Sequence, residues 1–358
     1  MSPLRKPAPR FADIKPYDPK YLSAQTLLSA NENPYALPAA LRETIQARIA
    51  RSDFNRYPDP LANELREQIA EANGLRREQV LVGNGGDELL FNLTLAWGGC
   101  GRKLLNVPPT FTAFQDYARI TDTEVVNVWR RPDFGIDEEA LLERLSAGDI
   151  DYVIIASPNN PTGKVADLGF IKRLLAATDA LVLVDEAYFE FAQVSALPLL
   201  KDFENLIVLR TLSKAYGLAG LRLGYFLAGV EVINELTKVR QPYSVNVLTQ
   251  IVAKAVFEQR ESLEPNIAAI VAERGRLECA LGEIVRLQAF PSDANFILFR
   301  VDDAAGIWES LLAQGVLVRD LSREEGLKSC LRVTVGSAQE NDSFLAALQK
   351  ALAERNMI

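Results

Sequence analysis

Short runs of consecutive apolar residues alternate with helix-like segments through the middle of the chain. Tyr152–Ala156 and Leu181–Asp185 are apolar at almost every position, which is typical of strands buried on both faces of a parallel sheet. Similar runs predict strands at Gln79–Val82, Lys103–Val107, Glu124–Trp129, Leu206–Arg210 and Gly224–Ala228. Helical patterns lie between them, as at Asp87–Trp97 and Ala166–Ala177. This alternation predicts an α/β layered domain, whose ligands collect at the carboxyl ends of the strands.

After about Val230 the pattern changes to long amphipathic helices followed by short strands. We predict helices at Glu231–Val239, Val245–Glu258, Pro265–Gly282, Asp303–Ala313 and Ala338–Glu354, and strands at Ala294–Val301, Gly315–Val318 and Leu331–Val335. The pattern after Val230 predicts a smaller α+β domain, into which we expect the N-terminal arm to fold. The predicted division is a large domain of residues 45–258 and a small domain of residues 1–44 and 259–358.

Composition narrows the class of protein. Hydrophobic residues make up 48% of the 358 positions, enough for a large core, and the net charge of −8 disfavours nucleic acid or an anionic membrane as the main partner. No apolar run reaches the length of a transmembrane helix, and the N-terminus lacks the apolar core of a secretory signal. Three distant cysteines, without a CxxC motif, fit a reducing compartment. We therefore expect a cytoplasmic protein.

The chain has no histidine. This excludes Ser–His and Cys–His nucleophilic systems, HExxH metalloproteases and imidazole metal ligands. Acid–base chemistry near neutral pH must then come from a lysine, carboxylate, tyrosine or cysteine whose pKa is tuned by its surroundings. No metal site is predicted.

A glycine turn joins a predicted strand to a predicted helix at Val82-Gly83-Asn84-Gly85-Gly86-Asp87. Glycines let the backbone approach an anion closely, and the N–H groups at a helix start favour phosphate. A tight turn with Asp87 as helix cap explains the same residues, so both interpretations stay open for this motif alone.

The second candidate segment runs from Arg210 to Tyr225. A strand ends, the hydroxyls of Thr211 and Ser213 and the amine of Lys214 follow, and Arg222 lies eight residues further on among glycines. Hydroxyls and an arginine suit a phosphate, and a lysine that is desolvated or close to other cations can lose its proton.

This segment resembles the lysine signature of the fold-type I pyridoxal-phosphate aminotransferases, through Ser213, Lys214, Gly217, Gly220, Arg222 and Gly224. Asn160-Pro161-Thr162-Gly163 and Asp185-Glu186-Ala187-Tyr188 match two further motifs in the family's order. Ala30-Asn31-Glu32-Asn33-Pro34 and Arg56-Tyr57-Pro58-Asp59-Pro60 are similar to the histidinol-phosphate aminotransferase branch. The resemblance extends from about Tyr17 to Arg332.

The resemblance implies pyridoxal 5′-phosphate as cofactor and a role for each matching residue. Lys214 would bind the cofactor covalently and then move the proton, Asp185 would pair with the pyridine nitrogen, and Tyr188 and Asn160 would bind the phenolic oxygen. Phe111 would stack on the ring. The remaining residues would hold the cofactor phosphate: Gly85, Gly86, Asp87, Thr211, Ser213, Arg222 and, from a second subunit, Tyr57. The protein would then be a homodimer with shared active sites.

For the substrate, the resemblance points to Tyr17, Asn31, Arg319 and Arg332. Two arginines and a tyrosine suit a dianion better than a single carboxylate. The expected reaction converts L-histidinol phosphate and 2-oxoglutarate, an amine and a 2-oxo acid, to imidazole acetol phosphate and L-glutamate, a step of histidine biosynthesis. The alternatives are two enzymes on the same fold, a threonine-phosphate decarboxylase and an aromatic amino-acid aminotransferase. A non-catalytic ligand sensor is disfavoured, because the chain is acidic and we expect no DNA-binding extension before Tyr17.

Overall fold

The computed structural model describes residues 5, 8, 11, 14, 22–355 and 357. Its strands are β1 (Thr26–Leu28), β2 (Val80–Asn84), β3 (Lys103–Asn106), β4 (Glu124–Asn127), β5 (Tyr152–Ala156), β6 (Leu181–Asp185), β7 (Leu206–Thr211), β8 (Leu223–Ala228), β9 (Leu287–Ala289), β10 (Phe296–Val301), β11 (Val316–Asp320) and β12 (Cys330–Thr334).

The α-helices of the described residues are α1 (Ala39–Ala50), α2 (Asn63–Asn73), α3 (Gly85–Trp97), α4 (Ala113–Ile120), α5 (Glu138–Leu145), α6 (Leu168–Ala176), α7 (Phe189–Ala192), α8 (Val230–Val239), α9 (Val247–Glu258), α10 (Glu264–Gly282), α11 (Ala304–Ala313) and α12 (Ala338–Ala353). Short 3-10 turns lie at Arg77–Gln79, Leu197–Lys201, Ala219–Leu221 and Arg260–Leu263. None of the helices in this part of the chain is long and apolar enough to cross a membrane.

The larger sheet has the strand order β2-β8-β7-β6-β5-β3-β4. Its strands run parallel except β8, which is antiparallel to both of its neighbours. Alternate residues of β6 enter two separate cores: Val182 and Val184 pack with α1, α2, α5, α6 and α9, whereas Leu181 and Leu183 pack with α3, α4 and α8. Helices on both faces explain why these strands are apolar at consecutive positions.

The smaller sheet has the order β1-β11-β12-β10-β9, with β1 parallel to β11 and the other pairs antiparallel. Its core joins Phe296 and Phe299 of β10 with Phe344 of α12, all fully buried, and with side chains of α10 and α11. Leu28 brings β1, which lies far away in sequence, into the same core.

The predicted α/β class is confirmed, with a mostly parallel large sheet and a second, smaller sheet. The predicted bounds of β5 and β6 match the structure, and β4 ends two residues earlier than predicted. The three-residue strands β1 and β9 carry too little pattern to be predicted. The division at residues 45 and 258 stays a prediction; Leu41, on its N-terminal side, packs in the core of the larger sheet.

Candidate active site

The glycine turn before α3 lies against the strands that carry the lysine segment. In the sheet register, Gly83, Gly224 and Thr211 lie side by side on β2, β8 and β7. A Cβ atom on Gly224 would lie 2.6 Å from the backbone nitrogen of Gly86, so only glycine permits this approach. The start of α3 is therefore pressed against the start of β8, beside the end of β7.

Arg222 lies over the N-terminus of α3. A Cβ atom on Gly85 would lie 2.6 Å from Nη2 of Arg222, and the same nitrogen donates to Oδ2 of Asp87 at 2.9 Å. The buried hydroxyls of Thr211 and Ser213 hydrogen-bond each other at 3.0 Å. Helix N–H groups, two hydroxyls and one guanidinium form a donor set that fits a phosphate dianion, and the glycine at position 85 lets the guanidinium come this close to the helix start.

Asp185 ends β6 in a buried position, where its Oδ1 accepts from the backbone N–H of Ala187 at 3.0 Å. Burial, with smaller contributions from the neighbouring charges of Asp87 and Glu186, raises the pKa of this carboxyl to about 7 even though that hydrogen bond lowers it. A desolvated carboxylate is stabilised by a cation placed opposite it. The environment of Asp185 therefore fits a protonated ring nitrogen.

Lys214 follows β7 by three residues, and its Nζ donates to the carbonyl of Ala30 at 3.0 Å. Burial, together with the nearby cations of Arg332 and Arg222, lowers the pKa of the amine to about 8. At pH 7 to 8 a much larger fraction of this amine is neutral than for an ordinary lysine, whose pKa is about 10.4. A neutral amine is both a nucleophile and a base.

Four further predicted residues form two hydrogen bonds that fix their orientation. Nδ2 of Asn31 donates to the hydroxyl of Tyr188 at 2.9 Å. Arg332 donates through Nη1 to Oδ1 of Asn160, which leaves the amide nitrogen of Asn160 as a donor on its other side. The Tyr188 ring also packs edge-on against Phe296, with ring centroids 5.1 Å apart.

The two predicted substrate arginines are directly opposite each other in the smaller sheet: Arg319 on β11 pairs with Arg332 on β12. Arg332 is buried, donates to the carbonyl of Ser29 at 2.7 Å and lies over the ring of Phe296. Like charges at directly opposed positions repel each other. Such a pair is favourable when a doubly charged anion lies between the two guanidinium groups.

Phe111 and Tyr57, two of the remaining predicted residues, each pack against another aromatic ring. The loop that carries Phe111 is tied down by Thr110, whose hydroxyl donates to Asn159 at 2.7 Å, and Phe111 packs edge-on against Phe114. Tyr57 is 81% exposed and stacks on Tyr243, with ring centroids 4.6 Å apart. Tyr17 lies outside the described residues.

Sequence reasoning missed a buried ion pair beneath the site. Nε of Arg210 donates to Oε2 of Glu186 at 3.0 Å, and Oε1 of Glu186 accepts from the backbone N–H of Ala196 at 2.6 Å. Arg210 also lies over the Phe189 ring, 3.7 Å from its centroid. Glu186 directly follows Asp185 and Arg210 directly precedes Thr211. A charged residue at the end of each of two buried strands was therefore the sequence signal that could have predicted this ion pair.

Comparisons with known proteins identify the family and the fold of the chain. The family model "Aminotransferase class I and II" matches residues 23–348. The chain is 44% identical to histidinol-phosphate aminotransferase 1 of Carboxydothermus hydrogenoformans, over 96% of this chain and 97% of that protein.

Two solved structures share the fold. The histidinol-phosphate aminotransferase from Sinorhizobium meliloti, in complex with pyridoxal-5′-phosphate, superposes with a TM-score of 0.89 at 24% identity, covering 99% of this chain and 100% of that chain. The L-threonine-O-3-phosphate decarboxylase from Porphyromonas gingivalis gives 0.81 at 24% identity, over 92% and 99%. Since the family model covers most of the residues, and a relative is 44% identical over nearly the full length, the chain belongs to the class I and II aminotransferase family.

Proposed function

We propose that this aminotransferase uses pyridoxal 5′-phosphate to convert L-histidinol phosphate and 2-oxoglutarate to imidazole acetol phosphate and L-glutamate, in histidine biosynthesis. The observation that carries the substrate assignment is the direct opposition of Arg319 and Arg332, with Arg332 close enough to lower the pKa of Lys214. A phosphate monoester carries up to two negative charges at pH 7 and matches two guanidinium groups. The 44% identical relative bears the name of the same activity.

The cofactor, when bound, supplies an aldehyde that an amine can engage and a ring that accepts electrons. The α3 N–H groups at Gly85, Gly86 and Asp87 would bind its phosphate, together with Thr211, Ser213 and Arg222. Asp185 would keep a proton on the ring nitrogen, since its desolvated carboxylate gains a cationic partner there. Tyr188 and Asn160 would donate to the phenolic oxygen, and Phe111 would pack against the ring.

Lys214 would do the acid–base work. Its pKa of about 8 leaves part of the amine neutral near pH 7.5, so Lys214 would take a proton from the α-carbon of the substrate and deliver it to the carbon of the cofactor's aldehyde group. This assignment satisfies the requirement set by a chain without histidine.

Substrate orientation would come from the smaller sheet. Arg319 and Arg332 would bind the phosphate of histidinol phosphate and, in the second half of the reaction, a carboxylate of 2-oxoglutarate. Tyr17 and Asn31 belong to the proposed substrate-binding set as well. Because strand register places the two arginines opposite each other, they would hold the anionic group of either substrate at the same place in the site.

We also propose a cytoplasmic homodimer with shared active sites. Tyr57 and Tyr243 form an exposed aromatic pair, and large exposed aromatic side chains are typical of interfaces. In the dimer, Tyr57 would reach the cofactor phosphate of the partner subunit.

A coupled assay tests the proposal. Purified protein loaded with pyridoxal 5′-phosphate should form glutamate from 2-oxoglutarate when L-histidinol phosphate is the amine donor. Unphosphorylated histidinol and an aromatic amino acid serve as comparison donors, and both should react more slowly. Release of carbon dioxide from threonine O-3-phosphate, without glutamate formation, would overturn the proposal in favour of a decarboxylase.

A further inference from the structure

Asn31 is fixed in an unusual conformation at the centre of the molecule. It is 1% exposed and has a φ of 55°, in the left-handed region that asparagine tolerates better than most residues. Its backbone N–H donates to Oγ1 of Thr334 at 2.9 Å, and its carbonyl accepts from Nδ2 of Asn295 at 3.0 Å. The backbone of Asn31 is thus bound on both sides to the smaller sheet and the loop beside it.

These contacts also orient the carboxamide. Oγ1 of Thr334 already accepts from the Asn31 backbone, and its own proton points to Oδ1 of Asn31 at 3.3 Å. The amide nitrogen then faces the other way and donates to the hydroxyl of Tyr188 at 2.9 Å. A threonine on β12 therefore determines that the Tyr188 hydroxyl accepts a hydrogen bond from Asn31 and does not donate one to it.

A phenol carries one proton, and a hydroxyl that accepts from Asn31 directs that proton elsewhere. We propose that Asn31 is a positioning residue that makes Tyr188 a hydrogen-bond donor to the phenolic oxygen of the cofactor. The proposal rests on the function proposed above, and it gives the side chain of Asn31 a role toward the cofactor in addition to any contact with substrate.

Asn160, the second proposed donor to the phenolic oxygen of the cofactor, is oriented by a similar contact. Arg332 donates to Oδ1 of Asn160, so the amide nitrogen of Asn160 is left as donor. Arg332 and Thr334 are two residues apart on β12, so their side chains lie on the same face of the strand. One face of β12 thus fixes the direction of both hydrogen bonds, one through Asn160 and one through Asn31 and Tyr188.

The hydrogen bond from Tyr188 should change a measurable quantity, the pKa of the lysine-bound cofactor. A hydrogen bond donated to the phenolic oxygen stabilises its negative charge, which makes the lysine-bound cofactor less basic. Loss of that donor should raise the pKa at which the visible absorption of the bound cofactor changes with pH.

Asn31→Asp tests the direction of the hydrogen bond between residue 31 and Tyr188. Aspartate has nearly the same size as asparagine and also tolerates a positive φ. An ionised carboxylate only accepts, so the Tyr188 proton should turn toward it. In a pH titration of the loaded protein followed by absorbance, we expect the pKa of the cofactor band to rise by about one unit, a tenfold change in proton affinity. Asn31→Gly removes the side chain without backbone strain and should give a smaller rise, because Tyr188 can still donate to the cofactor.

The control is the Tyr188→Phe background. If Asn31 acts through Tyr188, Asn31→Asp should cause no further rise in the pKa of a protein that already carries Tyr188→Phe. An equal rise in both backgrounds would mean a direct charge effect and would overturn the proposal, as would no rise in Asn31→Asp alone. Failure of the proposed function looks different: the unsubstituted protein would then not bind the cofactor or not form glutamate.

Discussion

The two proposed walls of the site, one for the cofactor and one for the substrate, are built in different ways. The proposed cofactor wall stands on strands buried on both faces, and most of its residues come from short segments: Gly85 to Asp87, Asp185 to Tyr188 and Thr211 to Lys214. The substrate wall consists of an opposed arginine pair in the smaller sheet, Arg319 and Arg332. The first wall offers an acid, hydroxyls and a cation at separate points, which suits one resident molecule with several functional groups. The second offers concentrated positive charge, which suits anions that exchange in every cycle.

The largest effect should come from Lys214, the residue that faces both walls. Lys214→Ala should abolish the absorption band of the lysine-bound cofactor and lower turnover by roughly a thousandfold or more, because both nucleophile and base are lost. Lys172→Ala, at an exposed position on α6, is the matched control and should behave like the unsubstituted protein. Far-UV circular dichroism should show that both variants fold; substantial turnover by Lys214→Ala would contradict the assignment.

Arg319→Gln tests the substrate wall alone. We expect kcat/KM for L-histidinol phosphate to fall about 10- to 100-fold, since one charged hydrogen bond contributes about 1.5–3 kcal/mol. The value for unphosphorylated histidinol should change little, and so should cofactor affinity. Arg323→Gln removes an exposed arginine four residues away and should leave both substrates unaffected. Equal losses for the two substrates would argue against a phosphate contact.

Arg222→Gln is the reciprocal test of the cofactor wall. The affinity of the cofactor-free protein for pyridoxal 5′-phosphate should fall about tenfold, which is modest because the Arg222 side chain is partly open to solvent and screened. At saturating cofactor, KM for L-histidinol phosphate should stay close to that of the unsubstituted protein. A higher KM with unchanged cofactor affinity would mean that Arg222 binds the substrate, and would contradict the proposed division into a cofactor wall and a substrate wall. Arg119→Gln, on the exposed face of α4, serves as control.

The smallest effect concerns pH. Because the pKa of Lys214 is lowered to about 8, the neutral fraction of its amine rises with pH up to about 8 and then levels off. The rate at which the cofactor-free protein binds the cofactor can be followed by stopped-flow absorbance. A plot of this rate against pH should bend near pH 8. Arg222→Gln removes one of the cations that lower this pKa, so the bend should move to higher pH and capture at pH 7 should slow a few-fold. A rate that still rises tenfold per pH unit at about pH 9.5 would indicate an ordinary lysine.

Prediction from sequence worked best where burial is nearly complete. β5 and β6 match their predicted bounds, because strands covered by helices on both faces must be apolar at every position. It failed for β1 and β9, three-residue strands that exist only because a neighbouring strand pairs with them. The buried pair of Glu186 and Arg210 was missed for a related reason: each is an ordinary charged residue until the register of β6 and β7 places them side by side.

The sequence by itself determined that histidine chemistry is excluded, that buried parallel strands end in polar segments, and which residues of those segments carry the motifs of a pyridoxal-phosphate enzyme. Tertiary structure alone decided that Arg319 lies opposite Arg332 and that Asn31 donates to Tyr188 across 157 positions of chain. The physical reason is that periodicity and motif composition are local properties of the chain. Strand register and hydrogen-bond direction are settled only when both sheets pack and every buried donor and acceptor has to be satisfied together.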